Sequence, residues 1–310
     1  MPSVKYGVVK NIMKLIPVKR ILSSSPEKLI KSARKINSKK GRGFQIPKDE
    51  NFIYEDIKIP LEGKDWHCLG IRPRDIRTEK AVLFIFGGGM ITEPDMSDIK
   101  PAMKISKETD REVWFVFYPL CTDYNAMASI EMVYRSYKKM LEKYSAEDIA
   151  VLGYSSGACL SISLCHWINT KGENVPMPEK MILISPGAVS DDEDWNRRIE
   201  ELERKDIMVS SSFIESIGPI MRHGSELPEW VLNPWSRSFS GFPECHFWFG
   251  GDEILAASVP NFEDRCREAG IEYTMTVGEG MCHCYPFLPG PSFPEKEEAF
   301  REIVKQIKEK

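Results

Sequence analysis

The chain has 310 residues, 42% of them hydrophobic and 28% charged, with a formal net charge of −4. That is room for one large domain or two small ones. It carries no overall basic excess to suggest a nucleic-acid partner, and no apolar run nears the roughly 20 residues of a membrane span. Its eight cysteines are scattered, which reads as reduced thiols in a cytoplasmic protein.

The charge is uneven. Residues 1–48 hold thirteen lysines and arginines against Glu27 alone, interleaved with Val8, Val9, Ile12, Met13, Leu15 and Ile16. The spacing predicts one or two amphipathic helices. The segment reads as a basic N-terminal cap packed over the rest of the molecule, with weak contact to an anionic membrane surface as the competing reading. It lacks the unbroken apolar core and cleavage site of a secretory signal.

From 49 to 310 the pattern is that of one α/β domain. Phe52–Ile59 and Trp66–Ile71 predict an antiparallel strand pair. Ala81–Phe86 is a continuous apolar run, as for a strand buried on both faces, and ends in Gly87-Gly88-Gly89. A helix is expected over 97–108, a strand over Val113–Tyr118 and a helix over 129–144. The strand Ile149–Leu152 and a helix from Ala158 to Thr170 follow. Met181–Ile184 is a further buried strand. Residues 188–240 break the rhythm and read as a cap insertion, helical over Asp194–Lys205. Cys245–Phe249 resumes the sheet, a helix spans 258–269, Ile271–Val277 is the last strand, and 295–310 is a closing helix. Strands alternating with helices predict a mostly parallel sheet covered on both faces, with ligands at the strand C-termini.

Between strand and helix stands Gly153-Tyr154-Ser155-Ser156-Gly157. A serine flanked by glycines on a tight strand-to-helix turn is the context of a nucleophile elbow. Serine needs a base. Of five histidines, His283 alone lies in the loop after the last strand, where it reaches back over the sheet edge. The imidazole needs a carboxylate partner. Asp252 directly follows a strand and is preferred to neighbouring Glu253 for its shorter reach. Donors for a developing oxyanion are expected from the amides of Ser156 and the glycine triplet. Cys282-His283-Cys284 offers zinc-type ligands, but adjacent ligands strain a tetrahedral site, so neither metal nor cofactor is expected.

Taken together these residues resemble the hormone-sensitive-lipase-like esterases of the α/β-hydrolase superfamily over about 50–310. Phe86-Gly87-Gly88-Gly89 stands where that family has His-Gly-Gly-Gly, and Gly153–Ala158 where it has Gly-Asp-Ser-Ala-Gly-Gly. Tyr118-Pro119-Leu120, Ser185-Pro186-Gly187, Gly251-Asp252 and His283 follow in family order. The resemblance implies an α/β-hydrolase fold with a helical cap and a serine carboxylesterase acting on small, short-acyl esters through Ser155, Asp252 and His283. The oxyanion amides would be Gly88, Gly89 and Ser156, and Phe86, Met90, Tyr154 and Trp235 are expected to line the pocket. Phe86 in place of the family histidine leaves room for a catalytically silent ligand-binding protein. A sugar or small-molecule deacetylase is the other competing reading, and a homodimer is compatible with the chain.

Overall fold

The computed structural model describes residues 1–309. Three helices lead the chain: α1 (Val4–Lys14), α2 (Val18–Leu22) and α3 (Pro26–Asn37). Then come β1 (Phe52–Leu61), β2 (Lys64–Pro73), β3 (Ala81–Ile85), α4 (Met96–Thr109), β4 (Glu112–Val116), α5 (Ala126–Leu141), β5 (Ile149–Tyr154), α6 (Ser156–Lys171) and β6 (Lys180–Ile184). The insertion folds as α7 (Glu193–Glu203), α8 (Ser211–Arg222) and α9 (Glu229–Leu232). Finally β7 (Glu244–Gly250), α10 (Val259–Ala269), β8 (Tyr273–Gly278) and α11 (Pro294–Lys308) close the domain.

One eight-stranded sheet carries this order as β1-β2-β4-β3-β5-β6-β7-β8. β1 and β2 pair antiparallel, and β2 joins β4 antiparallel. Every other pairing is parallel. All residues of β3, β5 and β6 are buried, as continuous apolar runs between two helical layers require. Each fully buried Leu, Ile, Val or Phe there contributes about 1.5–3 kcal/mol relative to exposure. The parallel register brings the ends of β3, β5, β6, β7 and β8 to one edge, and that edge carries the site.

Three expectations need correction. The N-terminal segment folds as three helices, not one or two. The last strand starts at Tyr273 rather than Ile271, because the Ile271 N–H closes the end of α10 on the Cys266 carbonyl at 3.2 Å. The insertion also holds a second long helix, α8, which its Gly218-Pro219 pair hides from a propensity reading. Packing overrides propensity here: Ile214, Ile217, Ile220 and Met221 are all buried on one face.

Candidate active site

At the end of β5 the chain enters Ser155 with φ 53° and ψ −128°, a region that side chains seldom occupy. The Ser155 N–H donates to the Ile184 carbonyl at 2.8 Å, fixing the turn to the neighbouring strand. Both flanking glycines are needed. A Cβ at Gly153 would stand 2.3 Å from the Gly157 carbonyl oxygen, and one at Gly157 would stand 2.1 Å from that of Ile85. The helix α6 then begins directly beneath the serine, its first amides free to face an anion.

His283 reaches this turn as its position predicts. Its Nε2 lies 2.9 Å from Ser155 Oγ. Its Nδ1 is hydrogen-bonded to a carboxylate, but the carboxylate belongs to Glu253. Asp252, the acid expected at this place, points the other way, with Oδ2 2.6 Å from Lys10 Nζ on α1. The cause is the turn after β7. The Glu253 N–H folds back onto the Gly250 carbonyl at 3.2 Å, which directs position 253 inward and position 252 outward. The longer glutamate then spans the gap to the imidazole.

Glu253 is fully buried and well supplied with donors. Its Oε1 accepts from the Gly250 N–H and from Ser185 Oγ, each at 2.7 Å. Ser185 in turn accepts the Cys284 N–H at 3.2 Å, so one serine ties acid loop and histidine loop together. Burial alone would push the His283 pKa down. The adjacent Cys284 sulfur and the Glu253 carboxylate outweigh it and hold the pKa well above the usual imidazole value. Asp206, from the insertion, accepts the Ile254 N–H at 2.8 Å and locks the cap onto the acid loop. Its own carboxyl is pushed up by burial.

The glycine triplet lies beside Ser155, with φ of 97° at Gly88 and 65° at Gly89. Among the described residues no backbone or side-chain acceptor takes the N–H of Gly88, Gly89 or Ser156. The side chains of Tyr118, Ser156 and Thr92 position the loop. Tyr118 Oη lies 2.9 Å from the Phe86 carbonyl and 3.1 Å from that of Gly87. Ser156 Oγ accepts the Met90 N–H at 3.2 Å, and Thr92 Oγ1 donates to the Gly88 carbonyl at 3.0 Å. Asn37 of α3 holds the loop's exit through the Ile91 carbonyl and the Glu93 N–H, at 2.9 and 2.8 Å.

Two cavities meet at Ser155. The first is lined mostly by carbon, with Met90, Phe213, Ile217, Met221, Leu232 and Cys159 at its wall, and offers about 70 Å³ to the centre of a water-sized sphere. The second offers about 260 Å³ on the same measure and holds His283, Tyr154, Leu22, Val209 and Asp98. Met90 lines the first cavity and Tyr154 the second. Phe86 and Trp235 are not on either wall. Phe86 lies behind the loop, stacked on Tyr118 with ring centroids 4.3 Å apart, and Trp235 is buried. Phe213, which touches both cavities, had no signal in the sequence beyond membership of the insertion.

The sequence from 82 to 287 matches the model of a family described as the alpha/beta hydrolase fold. The chain belongs to that family. The matched span starts at β3 and ends just past His283, so it takes in every strand end that this α/β hydrolase uses to build its site. Among curated proteins no sequence matches.

Solved structures are similar along nearly the whole chain. One, described as EstE5 soaked with p-nitrophenyl butyrate, has a TM-score of 0.79 at 18% identity, covering 99% of this chain and 98% of that one. An esterase/lipase from an uncultured bacterium has a TM-score of 0.78 at 18% identity, covering 98% of each chain. An esterase of the bacterial hormone-sensitive lipase family has a TM-score of 0.71 at 19% identity, covering 91% of this chain and 97% of that one. At such identities the likeness is one of fold.

Proposed function

We propose that this α/β hydrolase is a serine carboxylesterase of small esters with short acyl chains, with Ser155 as nucleophile, His283 as base and Glu253 as the carboxylate behind it. The observation that carries the reading is the 2.9 Å approach of His283 Nε2 to Ser155 Oγ with Glu253 on the opposite ring nitrogen. In that arrangement Nδ1 bears the proton, so Nε2 is free to accept one. As Ser155 Oγ attacks the ester carbon, its proton passes to Nε2, and the buried carboxylate stabilises the imidazolium. The carbonyl oxygen becomes an oxyanion against the free amides of Gly88, Gly89 and Ser156. Nε2–H then protonates the departing alcohol, and a water activated by His283 releases the acid.

Because His283 delivers the proton to the leaving oxygen, the alcohol belongs in the cavity that contains His283. The acyl chain takes the apolar cavity beside Cys159. Its 70 Å³ amounts to about five water-sized positions, room for a chain of about four to six carbons. The expected kcat/KM across p-nitrophenyl esters is therefore highest near butyrate and falls steeply before decanoate. Met221→Ala moves the optimum two or so carbons longer, each accommodated methylene being worth about fourfold. An unchanged optimum in the variant would place the acyl chain elsewhere.

Covalent labelling tests the central assignment. A fluorophosphonate should modify Ser155, located by peptide mass spectrometry, in a protein that hydrolyses p-nitrophenyl acetate and butyrate. Equal labelling of wild type and Ser155→Ala would remove the nucleophile assignment. The two deacetylation and silent-binder readings have no separate observation in their favour.

A further inference from the structure

The helix α1 carries two apolar faces, and the fold uses only one. Tyr6 and Val9 are 0% and 8% exposed, with the Tyr6 ring 5.1 Å from that of Phe293. Val4, Val8, Ile12 and Leu15 recur at i, i+4, i+8 and i+11, which sets them on one stripe. They are 87%, 55%, 53% and 84% exposed, and Ile16 and Ile21 continue the patch at 53% and 42%. Almost all the large apolar side chains left open to water in this molecule lie in this one segment. A contiguous patch of that kind marks an interaction surface.

Charge identifies the occupant. Lys5, Lys14 and Arg20 are exposed around the stripe, while Lys10 and Lys19, on the inner side, are paired with Asp252 and Glu203 at 2.6 and 3.0 Å. Residues 1–48 carry thirteen cations and one acid, and the remaining chain carries 29 cations and 45 acids. The molecule is thus strongly dipolar. A two-fold contact with a second copy through this patch would set its exposed cations, Lys5, Lys14 and Arg20, against the same three. A surface of anionic lipid headgroups instead attracts this end, accepts the apolar stripe at the headgroup boundary and repels the acidic body, which orients the molecule.

We propose that α1 and α2 form an interfacial anchor that seats the protein on anionic membrane surfaces. No described helix is long and apolar enough to cross a bilayer, so the mode is lying on the surface, not spanning it. Leu22, at the end of α2, lines the larger cavity at Ser155. Seating the anchor therefore brings that cavity's wall to the interface.

Co-sedimentation with vesicles tests this independently of catalysis. Binding to equimolar phosphatidylglycerol and phosphatidylcholine should exceed binding to phosphatidylcholine alone by at least about tenfold, and should weaken on going from about 0.1 M to about 1 M salt. Ser155→Ala should bind as wild type does, so a failure of the esterase reading leaves this result standing. The triple variant Val8→Asp, Ile12→Asp, Leu15→Asp should lose at least about tenfold in vesicle partitioning and keep its rate on soluble p-nitrophenyl butyrate. The gentler pair Lys5→Gln, Lys14→Gln, which leaves the helix surface intact, should lose several-fold on the anionic vesicles alone. Equal binding to both lipids, unchanged binding by the triple variant, or a vesicle-independent dimer that the triple variant abolishes would each overturn the proposal.

Discussion

Glu253→Gln should lower kcat for p-nitrophenyl butyrate by about 10³–10⁴-fold, while Asp252→Asn should stay within about threefold of wild type. The two residues are adjacent in sequence and both follow β7, so the contrast isolates geometry. In the glutamine variant Oε1 still receives the donors from Gly250 and Ser185, which leaves the amide NH₂ facing His283 Nδ1. That forces the proton onto Nε2, the wrong tautomer for a base. Asp252 spends its carboxylate on Lys10 at a partly exposed pair, and losing such a pair costs at most about 1 kcal/mol. The pH profile offers a second readout. His283 must be neutral to act, so activity is lost as pH falls through its pKa. With that pKa held above the ordinary value, the acid limb of kcat/KM should fall above pH 6.5 or so. Any residual activity of Glu253→Gln should show the limb moved down, because a negative charge beside the ring is gone. If instead Asp252→Asn is the crippled variant, the acid of the triad is Asp252.

What was legible and what was not divides along a physical line. The strands, the tight turn at Ser155 and the position of His283 beside it were readable because each rests on local chemistry: apolar runs of strand length, glycines where a Cβ cannot fit, and an imidazole in the loop after the last strand. The choice between Asp252 and Glu253 was not local. It turns on the backbone turn after β7, where the Asp252 N–H is held by the Met281 carbonyl and the Glu253 N–H by that of Gly250, and on a gap that a longer side chain closes. Phe86 posed a similar problem. The sequence showed that the family histidine was missing, but only the packed structure shows that Tyr118, 32 positions away, holds the loop's carbonyls from behind. The cap was the least legible part. The N-terminal segment announced itself by charge, yet which apolar residues would be buried depended on α1 having a neighbour on one side only. In the insertion, Gly218 and Pro219 masked a helix that tertiary burial stabilises.

The second large effect is expected at Gly157, which flanks Ser155 but carries no side chain of its own. Gly157→Ala should destabilise the fold by about 3–5 kcal/mol, lowering Tm by about 5–8 °C, as read by urea and thermal unfolding. Overpacking is ordinarily milder because side chains shift, but here the Cβ would meet the backbone carbonyl oxygens of Ile85 and Phe86, at 2.1 and 2.5 Å. Neither can rotate away, so α6 must lift off the end of β3. Gly157 itself lies outside the positive-φ region, so its cost is the clash; the same change at Gly172, with nothing within 4 Å of its Cβ position but φ at +62°, has the opposite cause and should cost only about 1 kcal/mol. Gly157→Ala also carries a kinetic consequence. The carbonyls it strikes are at the root of Gly87–Gly89, so the protein that remains folded should have lost turnover beyond its lost population. A Gly157→Ala protein with wild-type stability and wild-type kcat would show that the elbow and the glycine loop are not in the contact described.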